Sequence, residues 1–203
     1  MPESKIHGIW MAEASTEIPG GPGNKDLLEP GTHAAYFFDS QSEKQLKLFS
    51  LCREAVDQKN ASLIYIAGKQ GVKGIRLSLK DTGFDVAAYE KMQQMKILDS
   101  EEFFLNSGRQ QQFRAIEELV GKIGAYEKDA TRLGFSGLLI LSETDMLVRK
   151  GFLAEYKKFD ESMSRMLPQS TVTLLCGFDK RELLARGVAN PEAEIGPLHS
   201  VIV

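Results

Sequence analysis

Short apolar segments alternate with longer amphipathic segments along most of this chain. Four of the apolar segments have the length and continuous hydrophobicity of strands that are buried on both faces of a parallel sheet. They comprise residues 33–38, 61–67, 137–142 and 171–176. Two further apolar segments, at 95–98 and 197–203, are predicted to add a short strand and a final strand.

The segments between the predicted strands have the apolar spacing of helices. They comprise residues 42–58, 84–94, 109–133, 150–167 and 180–186. In the first of them Leu46, Phe49 and Cys52 are expected on the buried side. The alternation of strands and helices predicts an α/β fold of three layers, with a mainly parallel central sheet, in a single domain.

The start of the chain differs from this pattern. Residues 18–24 are rich in Gly and Pro and cannot hold a helix, so residues 1–30 are expected to form an N-terminal arm and linker to a domain at 31–203. Trp10, the sole tryptophan, lies in the arm. It is interpreted either as a core residue or as a contact to a partner or a second copy.

Composition excludes several classes of function. The net charge is −3 and Lys and Arg are scattered, which argues against direct nucleic-acid binding. No apolar run approaches the length of a membrane span. The two cysteines, Cys52 and Cys176, form no C-x-x-C pair, so neither a disulfide framework nor a metal site is expected. A cytoplasmic protein without a cofactor is predicted.

The junction after the first predicted strand lacks a phosphate loop. A mononucleotide site would carry G-x-x-x-x-G-K-[ST] there. The turn at residues 39–42 instead offers an N-cap and a carboxylate, and no lysine. Residues 68–74 are rich in Gly and Lys but contain no Gly-Lys-Ser/Thr triplet, so they are expected to form an exposed loop.

Candidate ligand-binding residues follow from the sheet, because open parallel sheets bind ligands at the carboxyl ends of their strands. The predicted set is Tyr36, Asp39, Ser40, Glu143, Cys176 and Asp179. Tyr36 and Cys176 would supply apolar and weakly polar contacts, and the others would supply orientation or charge. Glu143 and Asp145 have two interpretations: a magnesium-binding pair after a strand, or a cap on the next helix.

The histidines His7, His33 and His199 are too far apart for a local ligand pair. His33 and His199 are predicted at the amino edge of the sheet, as structural hydrogen-bonding residues or as a ligand or switch. The chain has no G-x-S-x-G elbow. No catalytic residue and no metal ligand is therefore assigned.

Several short motifs, in this order, resemble the MEDS family, the methanogen/methylotroph sensory domain. They lie at residues 33–40, 63–67, 105–109, 134–138, 155–156, 175–179 and 198–199. The resemblance implies a divergent RecA/KaiC-like sheet with a degenerate phosphate loop, used for sensing in transcription regulators and signalling proteins. The ligands it implies are small hydrocarbon or one-carbon derivatives. Leu139, Met146 or Leu147, Lys157 and Phe178 depart from the family pattern.

Three functions remain open at this point. The first is a stand-alone, non-catalytic sensory domain that binds a small molecule at the carboxyl edge, since an output module does not fit before residue 31. The second is a pseudo-ATPase scaffold that acts through contacts with another protein or a second copy. The third is a nucleotide-binding, ATPase-like enzyme that uses Glu143 and Asp145.

Overall fold

The computed structural model describes residues 29–108 and 111–203. Residues 1–28 of the predicted arm, which include Trp10, lie outside the described part of the chain. Within the described part of the chain, none of the helices has the length and apolar character that a membrane crossing requires.

The centre of the fold is a sheet of six parallel strands in the order β3-β2-β4-β5-β1-β6. The strands are His33–Phe38 (β1), Ser62–Ala67 (β2), Met95–Asp99 (β3), Leu138–Glu143 (β4), Val172–Asp179 (β5) and Val201–Ile202 (β6). This architecture confirms the predicted parallel α/β fold. The fourth apolar segment extends further than predicted: Gly177, Phe178 and Asp179 continue β5 because they pair with the last residues of β1.

The α-helices fill the connections between the strands. They are Gln41–Arg53 (α1), Gly71–Asp81 (α2), Val86–Lys91 (α3), Ser100–Phe104 (α4), Ile116–Arg132 (α5), Asp145–Lys150 (α6), Leu153–Met166 (α7), Lys180–Ala185 (α8) and Pro191–Ile195 (α9). A π-helix, Glu54–Gln58, continues α1, and 3-10 turns span Leu167–Gln169 and Gly196–Leu198.

Two predicted helices have different bounds in the structure. The helix predicted from residue 109 begins at Ile116, because the Asn106 N–H donates to the Gln112 carbonyl and the Arg114 N–H to that of Phe104. These hydrogen bonds place residues 104–106 beside residues 112–114, ahead of the start of the helix. Gly151, at φ 87°, ends α6 in the left-handed conformation, so the helix predicted from residue 150 begins only at Leu153 and α6 is a separate helix.

The residues 68–74, predicted as a loop, are helical from Gly71 onward. The prediction that Leu46 lies on the buried side of α1 is wrong, since Leu46 is 78% exposed, whereas Phe49 and Cys52 are buried as predicted. The buried stripe instead begins with Lys44 and continues with Leu48 and Cys52, at intervals of one helical turn. A lysine therefore occupies a core position on α1.

The helices pack against the two faces of the sheet. On the face that carries Tyr36 and Tyr65, α1, α2 and α3 form one apolar core. On the opposite face, which carries Phe37 and Cys176, the helices that follow β3, β4 and β5 form a second core. Adjacent strands such as β2 and β4, or β1 and β5, thus send their next helices to opposite faces. Such switch points open crevices at the carboxyl edge of a sheet.

Candidate functional site at the carboxyl edge

The carboxyl end of β4 is occupied by a buried ion pair. Lys44 Nζ lies 2.9 Å from Glu143 Oε1, and both side chains have 0% exposure. The Tyr65 hydroxyl donates to the same carboxylate over 2.5 Å, and the Gly68 N–H donates to Glu143 Oε2 over 3.2 Å. The Lys44 ammonium also lies 5.6 Å from the centre of the Phe38 ring. Glu143 is thus fully engaged by the protein itself.

This pair changes the interpretation of the turn after β1. A lysine in a phosphate loop reaches the phosphates from the start of the helix. Lys44 lies in the first turn of α1, two residues after the turn at 39–42, but its charge is directed inward. The sequence signal for this was the spacing of Lys44 to the apolar Leu48 and Cys52, which places all three on one helix face.

Asp145 extends the buried polar group toward β2. It is almost fully buried and accepts hydrogen bonds from the backbone N–H groups of Lys69 and Met146. Burial, followed by the charge of Glu143, raises the pKa of the Asp145 carboxyl. The alternative prediction that Glu143 caps the next helix is wrong. Its carboxylate accepts hydrogen bonds from Tyr65 and Gly68 and none from the first turn of α6. The two carboxylates fasten the loop after β2 to the end of β4.

Three other residues predicted at the edge, Tyr36, Ser40 and Asp179, form hydrogen bonds with residues close to them in sequence. Ser40 caps α1 by accepting the Glu43 N–H, and the Glu43 carboxylate accepts the Asp39 N–H in return. The Tyr36 hydroxyl donates to the Glu43 carbonyl, and burial, followed by the charge of Glu43, raises the Tyr36 pKa to about 12. Asp179 caps α8 through the Arg181 N–H.

Asp39 pairs with Lys180, whose Nζ lies 2.7 Å from Asp39 Oδ2. The structure thereby brings the ends of β1 and β5 together, as the prediction requires. It does not gather the six predicted residues around a single cavity.

A cavity of about 520 Å³ lies at the carboxyl edge, displaced toward β2, β3 and β4. Its lining comes from the loop after β2, the start of α4, helix α6 and the residue after α8. The lining residues are Ala67, Gly68, Lys69, Gly71, Asp99, Ser100, Glu101, Met146, Arg149, Lys150 and Arg186. This position is the crevice where α2 leaves toward one face of the sheet and α4 and α6 toward the other.

Four cations and two carboxylates line this cavity. Lys150 is paired with Glu101 at 2.6 Å, and Arg149 lies 3.8 Å from Glu182. The Arg186 guanidinium donates to the Arg149 carbonyl. Among the described residues, the Lys69 ammonium has no hydrogen-bond or ion-pair partner. The cavity therefore has an excess of positive charge, with one cation available.

Cys176 was predicted at the carboxyl edge, and this prediction is wrong. β5 continues for three residues beyond Cys176. It lies on the opposite face of the sheet from Glu143, in a fully buried group with His33, Asp160 and His199. The predicted position of His33 and His199 at the amino side of β1 matches the structure, and their ring centres are 4.2 Å apart. Asp160, on α7, was not anticipated.

Burial is the largest cause of the pKa shifts of two members of this group, His199 and Cys176. It lowers the pKa of His199 to about 4, although Asp160 opposes the shift, so the imidazole is neutral near pH 7. Burial, followed by the charge of Asp160, raises the pKa of the Cys176 thiol. The Tyr156 hydroxyl lies 3.1 Å from Cys176 Sγ.

The comparisons with known proteins agree with this architecture. A solved KaiC-like protein from the archaeon Pyrococcus horikoshii superimposes with a TM-score of 0.54 at 12% sequence identity. The match covers 74% of this chain, which spans 62% of the archaeal protein. The fold is thus that of the RecA/KaiC-like α/β class.

The family follows from the sequence match. The family model for the MEDS domain, the methanogen/methylotroph, DcmR sensory domain, matches residues 32–190. The chain therefore belongs to the MEDS family. No curated protein matches it.

Proposed function

We propose that this chain is a non-catalytic sensory domain that binds a small organic anion in the cavity between β2, β3 and β4. Membership of a sensory-domain family supports the sensory role. The observation that carries the ligand assignment is the cavity itself, which lies at a switch point of a parallel sheet and has the available Lys69 ammonium on its wall.

The class of ligand follows from size and charge. The cavity volume of about 520 Å³ falls within the range of small-molecule sites. Ala67 and Met146 supply apolar surface, while Lys69, Arg149 and Arg186 supply positive charge. Among the one-carbon and hydrocarbon derivatives that the family resemblance implies, short carboxylates fit this combination best, because they join an apolar chain to one negative charge.

A ligand in this cavity would contact four separate elements of the fold. The loop after β2, the start of α4, helix α6 and the end of α8 each contribute lining residues. Lys150 already joins α6 to Glu101 of α4. An anion that binds Lys69 and Arg149 would add a link from α6 to the loop after β2. By joining α6 to the loop after β2, the bound ligand could change the surface that these elements present to a partner protein.

Short carboxylates should raise the thermal midpoint of the purified chain. Formate, acetate, propionate and butyrate are compared with the matching alcohols by a thermal-shift measurement. A ligand at about 100 times its dissociation constant adds about 2.7 kcal/mol, or about 5–10 °C for a chain of this length. The Lys69→Ala variant should lose most of this shift, because it removes the available ammonium.

The matched control is Lys128→Ala, at an exposed position on α5 that is remote from the cavity. It should keep the wild-type response. The proposal fails if no carboxylate shifts the midpoint, or if Lys69→Ala responds as fully as the control variant.

Mg-ATP should leave the thermal midpoint unchanged at millimolar concentration. The reason is that Lys44 and Glu143 bind each other at 2.9 Å, so neither is available for a phosphate or a magnesium ion. Melting curves with and without Mg-ATP test this expectation. A rise of several degrees would favour the ATPase-like alternative instead.

A further inference from the structure

Four ligand-type side chains converge in the core on the face of the sheet opposite the Lys44–Glu143 pair. The nearest donor atoms of His33, Asp160, Cys176 and His199 all lie within 4.8 Å of one another. They come from β1, α7, β5 and the residue that follows the last 3-10 turn. We propose that these residues bind one divalent transition-metal ion of the zinc class.

Four of the separations between donor atoms fall in the range of a tetrahedral site. His33 Nε2 lies 3.5 Å from Asp160 Oδ1, and His199 Nε2 lies 3.4 Å from Asp160 Oδ2. Cys176 Sγ lies 3.6 Å from both His33 Nε2 and Asp160 Oδ1. Zinc bonds of about 2.0–2.3 Å in a tetrahedron require donor atoms about 3.3–3.8 Å apart.

The hydrogen bonds outside the group set the orientation of both imidazoles. His199 Nδ1 lies 3.2 Å from the Ile195 carbonyl, which can only accept, so Nδ1 carries the proton. Ser164 Oγ donates to a backbone carbonyl, of Asp160 or Leu198, and therefore accepts from His33 Nδ1 at 2.9 Å. With Nδ1 of each ring engaged in this way, both Nε2 atoms are left facing the Asp160 carboxylate.

This arrangement places acceptors against acceptors in the core. Asp160 Oδ2 and His199 Nε2 are buried and have no hydrogen-bond partner. The thiol proton of Cys176 can satisfy only one of the acceptors around it. Such buried polar atoms cost free energy unless a partner is present. A cation at the centre of the group satisfies all of them at once.

Charge balance favours a divalent ion. Asp160 and a Cys176 thiolate together supply two negative charges, so a divalent cation makes the buried site neutral. The donor set of one thiolate, two imidazoles and one carboxylate suits zinc and its neighbours rather than magnesium or calcium. The hydrogen bonds that His33 and His199 make through Nδ1 are those expected of zinc-bound histidines.

The site would join the short strand β6 to the core. β6 has two residues, and His199 precedes it closely along the chain. Through His199 the ion would tie this segment to β1, β5 and α7.

Metal content and cobalt substitution test the proposal. The purified full chain should contain one equivalent of zinc by elemental analysis. After chelation, Co²⁺ titrated into the protein should give tetrahedral ligand-field bands and thiolate charge-transfer absorption that saturate at one equivalent. Cys176→Ser should abolish the charge-transfer band. Cys52→Ser removes the other buried free cysteine and should keep it.

The wild-type measurement decides the matter even if Cys176→Ser does not fold. A folded wild-type chain that contains no stoichiometric metal and shows no cobalt–thiolate band would overturn the proposal. So would a band that persists in a folded Cys176→Ser variant. Neither result bears on the carboxylate-binding cavity, because the two sites share no residue.

Discussion

Replacing Lys44 with Met should lower the free energy of unfolding by about 3–5 kcal/mol, because the change leaves the Glu143 carboxylate buried without its cation. Both side chains have 0% exposure, so water cannot replace the lost partner. Chemical denaturation of the purified variant, followed by circular dichroism, measures the loss.

A second substitution separates charge from packing. In Lys44→Met/Glu143→Gln the buried charge is gone, while the amide oxygen can still accept from the Gly68 N–H and the amide NH2 group can donate to the Tyr65 hydroxyl oxygen. The double variant should recover about 2 kcal/mol of the loss. The control Arg132→Ala breaks an exposed pair with Asp129 and should cost less than about 1 kcal/mol. A double variant less stable than Lys44→Met would contradict the assignment.

Gly68→Ala should destabilise the fold by about 3 kcal/mol, at the upper end of the cost of overpacking. A Cβ at this position would lie 1.9 Å from Asp145 Oδ1 and 3.0 Å from Glu143 Cβ. Asp145 cannot withdraw freely, because it accepts the N–H groups of Lys69 and Met146. The same denaturation measurement gives the value.

Gly121→Ala is the matched control for this change. Gly121 lies inside α5, and an added Cβ meets no atom within 4 Å. Alanine should there stabilise the helix by about 0.5–1 kcal/mol, because it restricts the unfolded chain. Equal effects at the two glycines would show that the close approach at the end of β2 carries no energetic weight.

The elements of the fold follow directly from the order of apolar segments. The segments at 33–38 and 61–67 were predicted as strands because nearly all of their residues are apolar, and the structure places strands at His33–Phe38 and Ser62–Ala67. The start of α5 was not predictable in this way. Phe113 lies at a spacing that continues the apolar stripe of the helix, but hydrogen bonds between 104–106 and 112–114 determine where the helix begins.

The candidate sites depended on contacts between residues distant in sequence. Glu143 was expected to face a ligand, since it follows a predicted strand. No local pattern indicates that Lys44, almost 100 residues earlier, forms an ion pair with it. Similarly, His33 and His199 are far apart in sequence, and two isolated histidines do not indicate a metal site. Asp160 gave no signal of its own, because it lies among the charged residues of an amphipathic helix.

The sequence by itself determined the class of fold, the parallel strands and the family, because these depend on local hydrophobicity and on motifs that lie along the chain. The tertiary structure decided which polar residues are available to a ligand. The order of the strands pairs Lys44 with Glu143, leaves the Lys69 ammonium at the cavity, and gathers His33, Asp160, Cys176 and His199 on the opposite face. Pairing of charges and coordination of ions depend on distances of a few ångströms, and only the packing of β1, β4, β5 and their helices sets those distances.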